Sequence, residues 1–126
     1  MEVRKGLLYS QDHEWVKITG SIARIGITAY AQDQLGDVVF VELPSVDDPV
    51  TKDEPFTVVE SVKAASDVYS PVTGVITAVN EDLEDSPELI NESPYDEGWI
   101  IEVELDDTEV EGLMTPEEYE DFIREI

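Results

Sequence analysis

Short runs of β-branched and aromatic residues, separated by turn residues, make up most of the hydrophobic pattern of this chain. The clearest pair covers residues 15–18 and 22–27, and Gly20-Ser21 between them is suited to the turn of a hairpin. The chain opens with a short apolar segment, and further strand-like runs follow at intervals. These segments are residues 7–9, 37–43, 56–62 and 75–79.

The run from residue 99 to residue 105 alternates between apolar and acidic side chains. Glu102 and Glu104 would lie on one face of an extended strand, and four apolar residues would lie on the other. This period of two predicts a half-buried strand. Its apolar face would consist of Trp99, Ile101, Val103 and Leu105.

End signals predict a short helix in the first third of the chain. Thr28 is a suitable N-cap for a helix over residues 29–35. Gly36 would end that helix by adopting the left-handed conformation.

The strongest helix signal lies at the C-terminus, over about residues 115–126. Thr115 is a suitable N-cap, Pro116 fits the first helical position, and Glu118 completes a capping box. The apolar residues that follow are spaced to form one stripe, which we expect to pack on the strands. They are Tyr119, Phe122, Ile123 and Ile126.

Two polar segments are expected at the surface. Residues 45–55 are predicted to form a loop, and the acidic residues 81–97 a solvated excursion with one or two helical turns. The many short strands predict a mostly β fold, a β-sandwich or flattened barrel with helices at its margins. The length favours a single domain over residues 1–126.

Charge and composition narrow the functional classes. Seven basic residues stand against 31 acidic ones, for a net charge of −24. Such a surface repels nucleic acids and anionic membranes and favours partners with basic docking faces. The alternative is that the acidity only aids solubility or reflects a salty habitat. With no cysteine and a single histidine, His13, the sequence excludes disulfides and predicts no metal site. Neither a targeting segment nor a membrane span is evident.

One segment, residues 58–71, interrupts β-rich sequence with a lysine beside small residues. Ala64, Ala65 and Ser66 follow Lys63 directly and give it little steric cover. The apex contains no Gly, Asn or Pro, so the residues alone do not predict a hairpin here. An ordinary exposed lysine is the plain alternative.

The same segment resembles a known motif. Residues 60–64 (ESVKA) are similar to the lipoyl attachment motif of the glycine cleavage H proteins, and the resemblance extends from about residue 8 to the C-terminus. Small departures are Ala29, Asp47 and Asp96, where the family often has Asp, Gly and Gly. The other matching blocks are residues 12–15 (DHEW), 26–32 (GITAYAQ), 35–44 (LGDVVFVELP), 91–95 (NESPY) and 98–99 (GW).

The resemblance implies a lipoyl/biotinyl-type β-sandwich, or barrel-sandwich hybrid, with Lys63 at the tip of a tight hairpin. Lys63 would carry covalent lipoate, attached by a lipoate ligase or a lipoyl/octanoyl transferase. Glu60, Ser61 and Ala64 would form the recognition face for that enzyme. Their alternative role is that of ordinary residues at a hairpin tip.

The family cycle implies three further partners. A pyridoxal-phosphate glycine decarboxylase (P-protein) loads the arm with the aminomethyl group of glycine. A tetrahydrofolate-dependent aminomethyltransferase (T-protein) then unloads it, and dihydrolipoyl dehydrogenase (L-protein), a flavin enzyme, re-oxidises the arm with NAD. The chain itself would be a non-catalytic, monomeric carrier, in the cytoplasm of a prokaryote or the mitochondrial matrix of a eukaryote.

Glu14 is the candidate for a second site, because it lies within the family-signature block beside His13 and Trp15. A carboxylate there would hold the protonated amine of the loaded arm in a cleft by a charge-assisted hydrogen bond. The alternative is a solvated Glu14 beside a core Trp15.

Other functional classes stay open on the sequence. A biotin carrier typically has methionines beside its lysine, where this chain has Val62 and Ala64. An acyltransferase lipoyl domain usually has Asp before the lysine and a long linker after it. An acid–base enzyme would need paired carboxylates such as Asp12 and Glu14. A lipoyl donor in lipoate assembly would share the carrier fold but serve another pathway.

Overall fold

A computed structural model describes residues 2–107 and 110–126 of the chain. The single domain predicted over 1–126 thus also includes Met1, Thr108 and Glu109, which lie outside the described residues. Within the described part, antiparallel strands form a six-stranded sheet in the order β1-β2-β3-β9-β8-β5 and a three-stranded sheet in the order β4-β6-β7. The predicted β-sandwich is confirmed. The strands are β1 (Leu8–Tyr9), β2 (Glu14–Thr19), β3 (Ile22–Ile27), β4 (Val38–Glu42), β5 (Pro49–Val50), β6 (Pro55–Ser61), β7 (Ala65–Tyr69), β8 (Gly74–Val79) and β9 (Ile101–Leu105).

Four short helices lie at the margins of the sheets, as the sequence predicts. Thr28 accepts the hydrogen bond of the Ala31 amide at the start of the first helix, and Thr115 and Glu118 form the predicted capping box of the last. None of the helices in residues 2–107 and 110–126 is long and apolar enough to cross a membrane. The helices are α1 (Ala29–Leu35), α2 (Asp82–Asp85), α3 (Leu89–Glu92) and α4 (Pro116–Arg124).

Two apolar clusters stabilise this arrangement. The larger one is formed by inward-facing residues of both sheets, among them Val16 of β2 and Val59 of β6. A smaller one joins the sheet to α4, where the rings of Tyr9 and Tyr119 stack with centroids 4.5 Å apart. Trp15 is fully buried in this second cluster, as expected for a core residue. Successive residues of β2 therefore contact different clusters, as strand geometry requires.

Four details differ from the expectations. The predicted loop 45–55 contains β5, an edge strand that tolerates Pro49 because its outer side needs no ladder hydrogen bond. Gly36 has φ +82° as expected, but its ψ of −163° is not that of the left-handed helix. Ile126 lies beyond the end of α4 and is exposed, so it does not extend the packed stripe. The fourth difference is the hairpin of β6 and β7, which local residue preferences alone did not predict.

The backbone conformation at Asp47 explains why the family often has glycine at this position. Its φ is +77°, a region that glycine enters without steric cost and that aspartate tolerates better than most other residues. The turn is held by the Asp47 amide, which donates to the Ile76 carbonyl over 2.8 Å. A position where the family often has glycine is thus one where the backbone favours it.

Candidate functional site

Lys63 lies in the connection between β6 and β7, a tight hairpin that projects from the three-stranded sheet. Val62, Lys63 and Ala64 at its tip are all exposed. The hairpin turn is closed by the Ser61 amide, which donates to the Ala64 carbonyl over 2.8 Å. A second anchor is the Val62 amide, which donates to the Asp37 carbonyl over 3.0 Å and ties the tip to the segment before β4.

The side chain of Ser61 supplies the turn chemistry that the apex lacks. Its Oγ accepts hydrogen bonds from the amides of Lys63, over 3.1 Å, and Ala64, over 3.2 Å. A serine hydroxyl that bonds to the backbone two or three residues ahead is a recognised local turn motif. Because this signal lies in a serine and not in a Gly, Asn or Pro at the apex, the residues alone did not predict the hairpin.

The Lys63 side chain lies along the C-terminal end of α1. Its Nζ donates to the Gln34 carbonyl over 3.4 Å, and its stem passes over Gly36. A Cβ on Gly36 would lie 3.0 Å from the Lys63 Cε. Glycine at this position therefore leaves room for the lysine stem and also tolerates the positive φ. The amine is therefore both exposed and directed toward α1.

A cleft of about 210 Å³ opens beside α1. Gln34, whose carbonyl receives the Lys63 amine, is one of its lining residues. Its walls are largely apolar and come from β3, α1 and β7. Its acidic groups come from the loop before β2, from the first residue of β2 and from β7. The acidic residues that line it are Asp12, Glu14 and Asp67.

Glu14 is the buried member of this acidic group, with only 2% of its surface exposed. The Ser10 hydroxyl donates to its Oε1 over 2.6 Å. Burial raises the pKa of Glu14 to about 7, since desolvation disfavours the charged form, and Asp12 adds to the rise; the Ser10 hydroxyl and the Tyr69 amide oppose it. The solvated alternative for Glu14 is therefore wrong.

The loop between β1 and β2 places these groups. The His13 amide donates to the Ser10 carbonyl over 3.2 Å, and the Ser10 amide donates to the Glu14 carbonyl over 2.9 Å. His13 has φ +69°, so the loop is a turn followed by one left-handed residue, a common three-residue hairpin connection. This geometry brings Asp12, His13 and Glu14 to the same end of the cleft.

His13 also connects the cleft to α4. Its Nδ1 lies 2.8 Å from the Tyr119 hydroxyl, which in turn lies 2.8 Å from Thr28 Oγ1. Burial lowers the pKa of His13, and the nearby Asp12 acts in the opposite direction. A neutral imidazole in this position serves as a hydrogen-bonding group between the loop and the helix.

The site residues named from the sequence fall into two groups. Glu60, Ser61 and Ala64 lie with Lys63 on the hairpin, and Glu14 lies in the cleft. Sequence reasoning missed Ser10 and Gln34, which connect these groups to the rest of the molecule. Ser10 stands two residues before the family-signature block, and a serine four residues before an acid is too common a pattern to single it out.

A two-sheet sandwich that projects a lysine on a hairpin, beside a cleft of its own, is the architecture of a carrier domain of the lipoyl type. Comparison with known proteins narrows this class. The family model of the glycine cleavage H-protein matches residues 7–126, and the chain belongs to that family.

Curated relatives and a solved structure agree with the family match. The chain is 57% identical to the glycine cleavage system H protein of Bacillus licheniformis and 56% identical to that of Bacillus subtilis, over 126 residues and 99% of each chain. The crystal structure of such a protein from Mycobacterium marinum superposes with a TM-score of 0.86 at 38% identity. That match covers 94% of this chain and 97% of the other. A lipoyl carrier role in the glycine cleavage system follows from this membership.

Proposed function

We propose that Lys63 is the residue on which this carrier bears its lipoyl group, and that Glu14 receives the loaded end of the arm. The observation that carries the proposal is the contact of an exposed lysine amine with Gln34, a residue that also lines a cleft containing a buried carboxylate. Family membership supports lipoate as the covalent cofactor.

The hairpin residues fit a covalent arm. The tip is exposed, so an attaching enzyme can reach the amine from outside the sandwich. Two backbone hydrogen bonds and the Ser61 hydroxyl keep the tip in one conformation, which lowers the entropy lost when that enzyme binds. Glu60 and Ala64 flank this amine on the exposed side and, with Ser61, form the proposed recognition face.

The cleft fits the loaded end of the arm. When bound, the lipoyl group would supply a disulfide that opens as it accepts the aminomethyl group of glycine and that forms again when the remaining dithiol is oxidised. Ile27, Leu35 and Val68 give the cleft apolar walls that suit a hydrocarbon chain. Glu14 in its charged form would pair with a protonated amine, and the walls would keep water from the cargo.

This role implies two groups of partners, the enzymes of the glycine cleavage system and the enzyme that attaches the lipoyl group. Membership in the glycine cleavage system implies the P-, T- and L-proteins in general. We further propose a lipoate ligase or lipoyl/octanoyl transferase as the enzyme that modifies Lys63. We also propose that the chain acts as a non-catalytic, monomeric carrier. Its curated relatives are bacterial, which supports the cytoplasm as its compartment.

Reconstitution tests the proposal directly. The lipoylated chain is mixed with decarboxylase, aminomethyltransferase, dehydrogenase, tetrahydrofolate, NAD and glycine, and NADH formation is followed. We expect activity with the wild type and none with Lys63→Arg, while Lys52→Arg, a matched control, keeps it. Modified protein that supports no NADH formation but donates its lipoyl group to another acceptor would establish the lipoyl-donor role instead.

A further inference from the structure

Ser10 makes an unusually complete set of contacts with Glu14. Its hydroxyl donates to Oε1 over 2.6 Å and accepts from the Glu14 amide over 3.0 Å, and its own amide donates to the Glu14 carbonyl over 2.9 Å. Ser10 is itself buried, with 8% of its surface exposed. The hydroxyl therefore has both its donor and an acceptor function directed at one residue.

We propose that Ser10 is a positioning residue for the cleft: its hydroxyl holds the Glu14 carboxylate at the cleft wall, favours its charged form, and so sets the pH range over which the cleft retains a cationic amine. This inference rests on the proposed role of Glu14 for its consequence in function. The effect of Ser10 on Glu14 does not depend on that role.

The groups around Glu14 make the hydroxyl important. Three further carboxylates lie around Glu14: Asp12 on the loop between β1 and β2, Asp67 on β7, and Asp53 before β6. No cation lies among the residues that line this cleft within the described part of the chain, although Lys63 approaches it from outside. Burial lowers the pKa of His13, which disfavours its cationic form as a counter-charge, although Asp12 acts in the opposite direction.

Hydrogen bonds are therefore the main source of stabilisation for a charged Glu14. The Ser10 hydroxyl and the Tyr69 amide both lower its pKa against the effect of burial. A hydrogen bond to a charged group is strong enough to lower the pKa of a carboxyl by roughly one unit or more. Loss of the Ser10 donor would leave Glu14 mostly neutral at pH 7, and a neutral carboxyl attracts a protonated amine only weakly.

A purely structural role for Ser10 would give a different result. The amide contacts of Ser10 and the turn through His13 do not need the hydroxyl hydrogen, so a turn-forming role would affect stability without moving the titration of Glu14. The titration is thus the readout that separates positioning from turn formation.

The test uses the full-length, unlipoylated protein with ¹³C-labelled glutamate. The side-chain carboxyl signal of Glu14, assigned by its loss in Glu14→Gln, is followed from pH 4 to pH 9. We expect a midpoint near 7 in the wild type and a rise of about one pH unit in Ser10→Ala. Ser10→Thr, which keeps the hydroxyl, should return the midpoint to the wild-type value.

Two further variants keep the test decisive. Thr57→Val removes another buried hydroxyl, one that donates to the Glu42 carbonyl away from the cleft, and should leave the Glu14 midpoint unchanged. Ser10→Cys replaces the donor with a weaker one and should also raise the midpoint, even where Ser10→Ala does not fold. An unchanged midpoint in a folded Ser10→Ala or Ser10→Cys protein would overturn the proposal.

The consequence for function is measured separately in lipoylated, aminomethyl-loaded protein. A one-unit rise from 7 lowers the charged fraction of Glu14 at pH 7 about fivefold. We expect the lifetime of the loaded arm in Ser10→Ala to shorten by up to that factor at pH 7 and to recover toward pH 9. A moved midpoint with an unchanged lifetime would contradict the role of Glu14 in holding the arm, while the positioning by Ser10 would stand.

Discussion

At the scale of single residues, two residues at the cleft depart from what their side chains usually prefer, one in its burial and the other in its backbone conformation. Glu14 is a buried acid whose pKa is raised by desolvation, and His13 has a positive φ beside it. Both lie at the cleft, and strained or desolvated groups concentrate at functional sites. The sequence could nominate Glu14 only through the family resemblance, because burial of one acid among 31 cannot be read from a pattern.

The raised pKa of Glu14 predicts a stability cost above neutral pH. A carboxyl with a pKa of about 7 when folded, against its ordinary 4.5, binds its proton more tightly in the native state. The free energy of unfolding therefore falls as the pH rises from about 4.5 to 7, by about 3 kcal/mol, and then levels off. Glu14→Gln should remove this dependence and be more stable than the wild type at pH 8.

Urea denaturation at pH 4.5 and pH 8 measures this prediction. The advantage of Glu14→Gln should be small at pH 4.5, where the wild-type carboxyl already carries its proton. Glu42→Gln, at an exposed position of β4, serves as the matched control. It retains Glu14, so its free energy of unfolding should fall with pH as that of the wild type does. A Glu14→Gln protein no more stable than the wild type at pH 8 would show that burial does not disfavour the charged Glu14.

Ser61 predicts a kinetic effect at the hairpin. Ser61→Ala removes the acceptor of two amide hydrogen bonds, to Lys63 and Ala64, at an exposed tip. The stability of the sandwich should change by less than about 1 kcal/mol, whereas lipoate attachment should slow by roughly three- to tenfold because the tip samples other conformations.

The initial rate of lipoyl incorporation, followed by intact mass, checks the Ser61 prediction. Ser61→Thr keeps a hydroxyl and should attach lipoate at close to the wild-type rate. Equal rates in Ser61→Ala and the wild type would mean that the hydroxyl does not order the tip.

At the scale of elements, a segment could be predicted where its conformation is set by local sequence signals, and could not where it is set by contacts with distant parts of the chain. The hairpin of β2 and β3 and the helix α4 were predictable because glycine, the capping box and the hydrophobic period are local signals. The strand β7 was not, because its turn depends on one serine side chain, and β5 is ordered by its pairing with β8. The cleft combines residues from β3, α1, β7 and one loop, so no local pattern describes it.

Helix α4 provides a prediction about how the loop at the cleft is held. Its Tyr119 hydroxyl lies 2.8 Å from both His13 Nδ1 and Thr28 Oγ1 in a buried setting. Tyr119→Phe keeps the stacking on Tyr9 but leaves these groups short of a partner, and should destabilise the protein by about 1–3 kcal/mol.

Chemical denaturation compares this variant with Tyr30→Phe, a control that keeps the ring contact of Tyr30 with His13. The control should lie within about 0.5 kcal/mol of the wild type. Equal stability of the two variants would mean that the Tyr119 hydroxyl does not join α4 to the loop.

At the scale of the whole molecule, we expect the net charge of −24 to govern how the carrier meets its partners. Opposite charge speeds the encounter of two proteins, and salt screens that attraction over about 10 Å at 0.1 M. The apparent KM of dihydrolipoyl dehydrogenase for the reduced, lipoylated chain should therefore rise about tenfold between 0.02 and 0.5 M salt.

Free dihydrolipoamide is the matched control for the salt experiment, because it is an uncharged substrate for the same enzyme. Its KM should change little over that range of salt. A carrier whose KM shows no more salt dependence than the free amide would indicate that its acidity serves purposes other than docking.

The central claim is that Lys63 carries the arm, and mass spectrometry tests it most directly. The intact mass is measured before and after incubation with a lipoate ligase, ATP and lipoate, and the adduct is mapped by peptide digestion. The account predicts a single lipoyl increment on Lys63 that Lys63→Arg abolishes and Lys52→Arg does not. No increment, or an increment elsewhere that survives in Lys63→Arg, would contradict it.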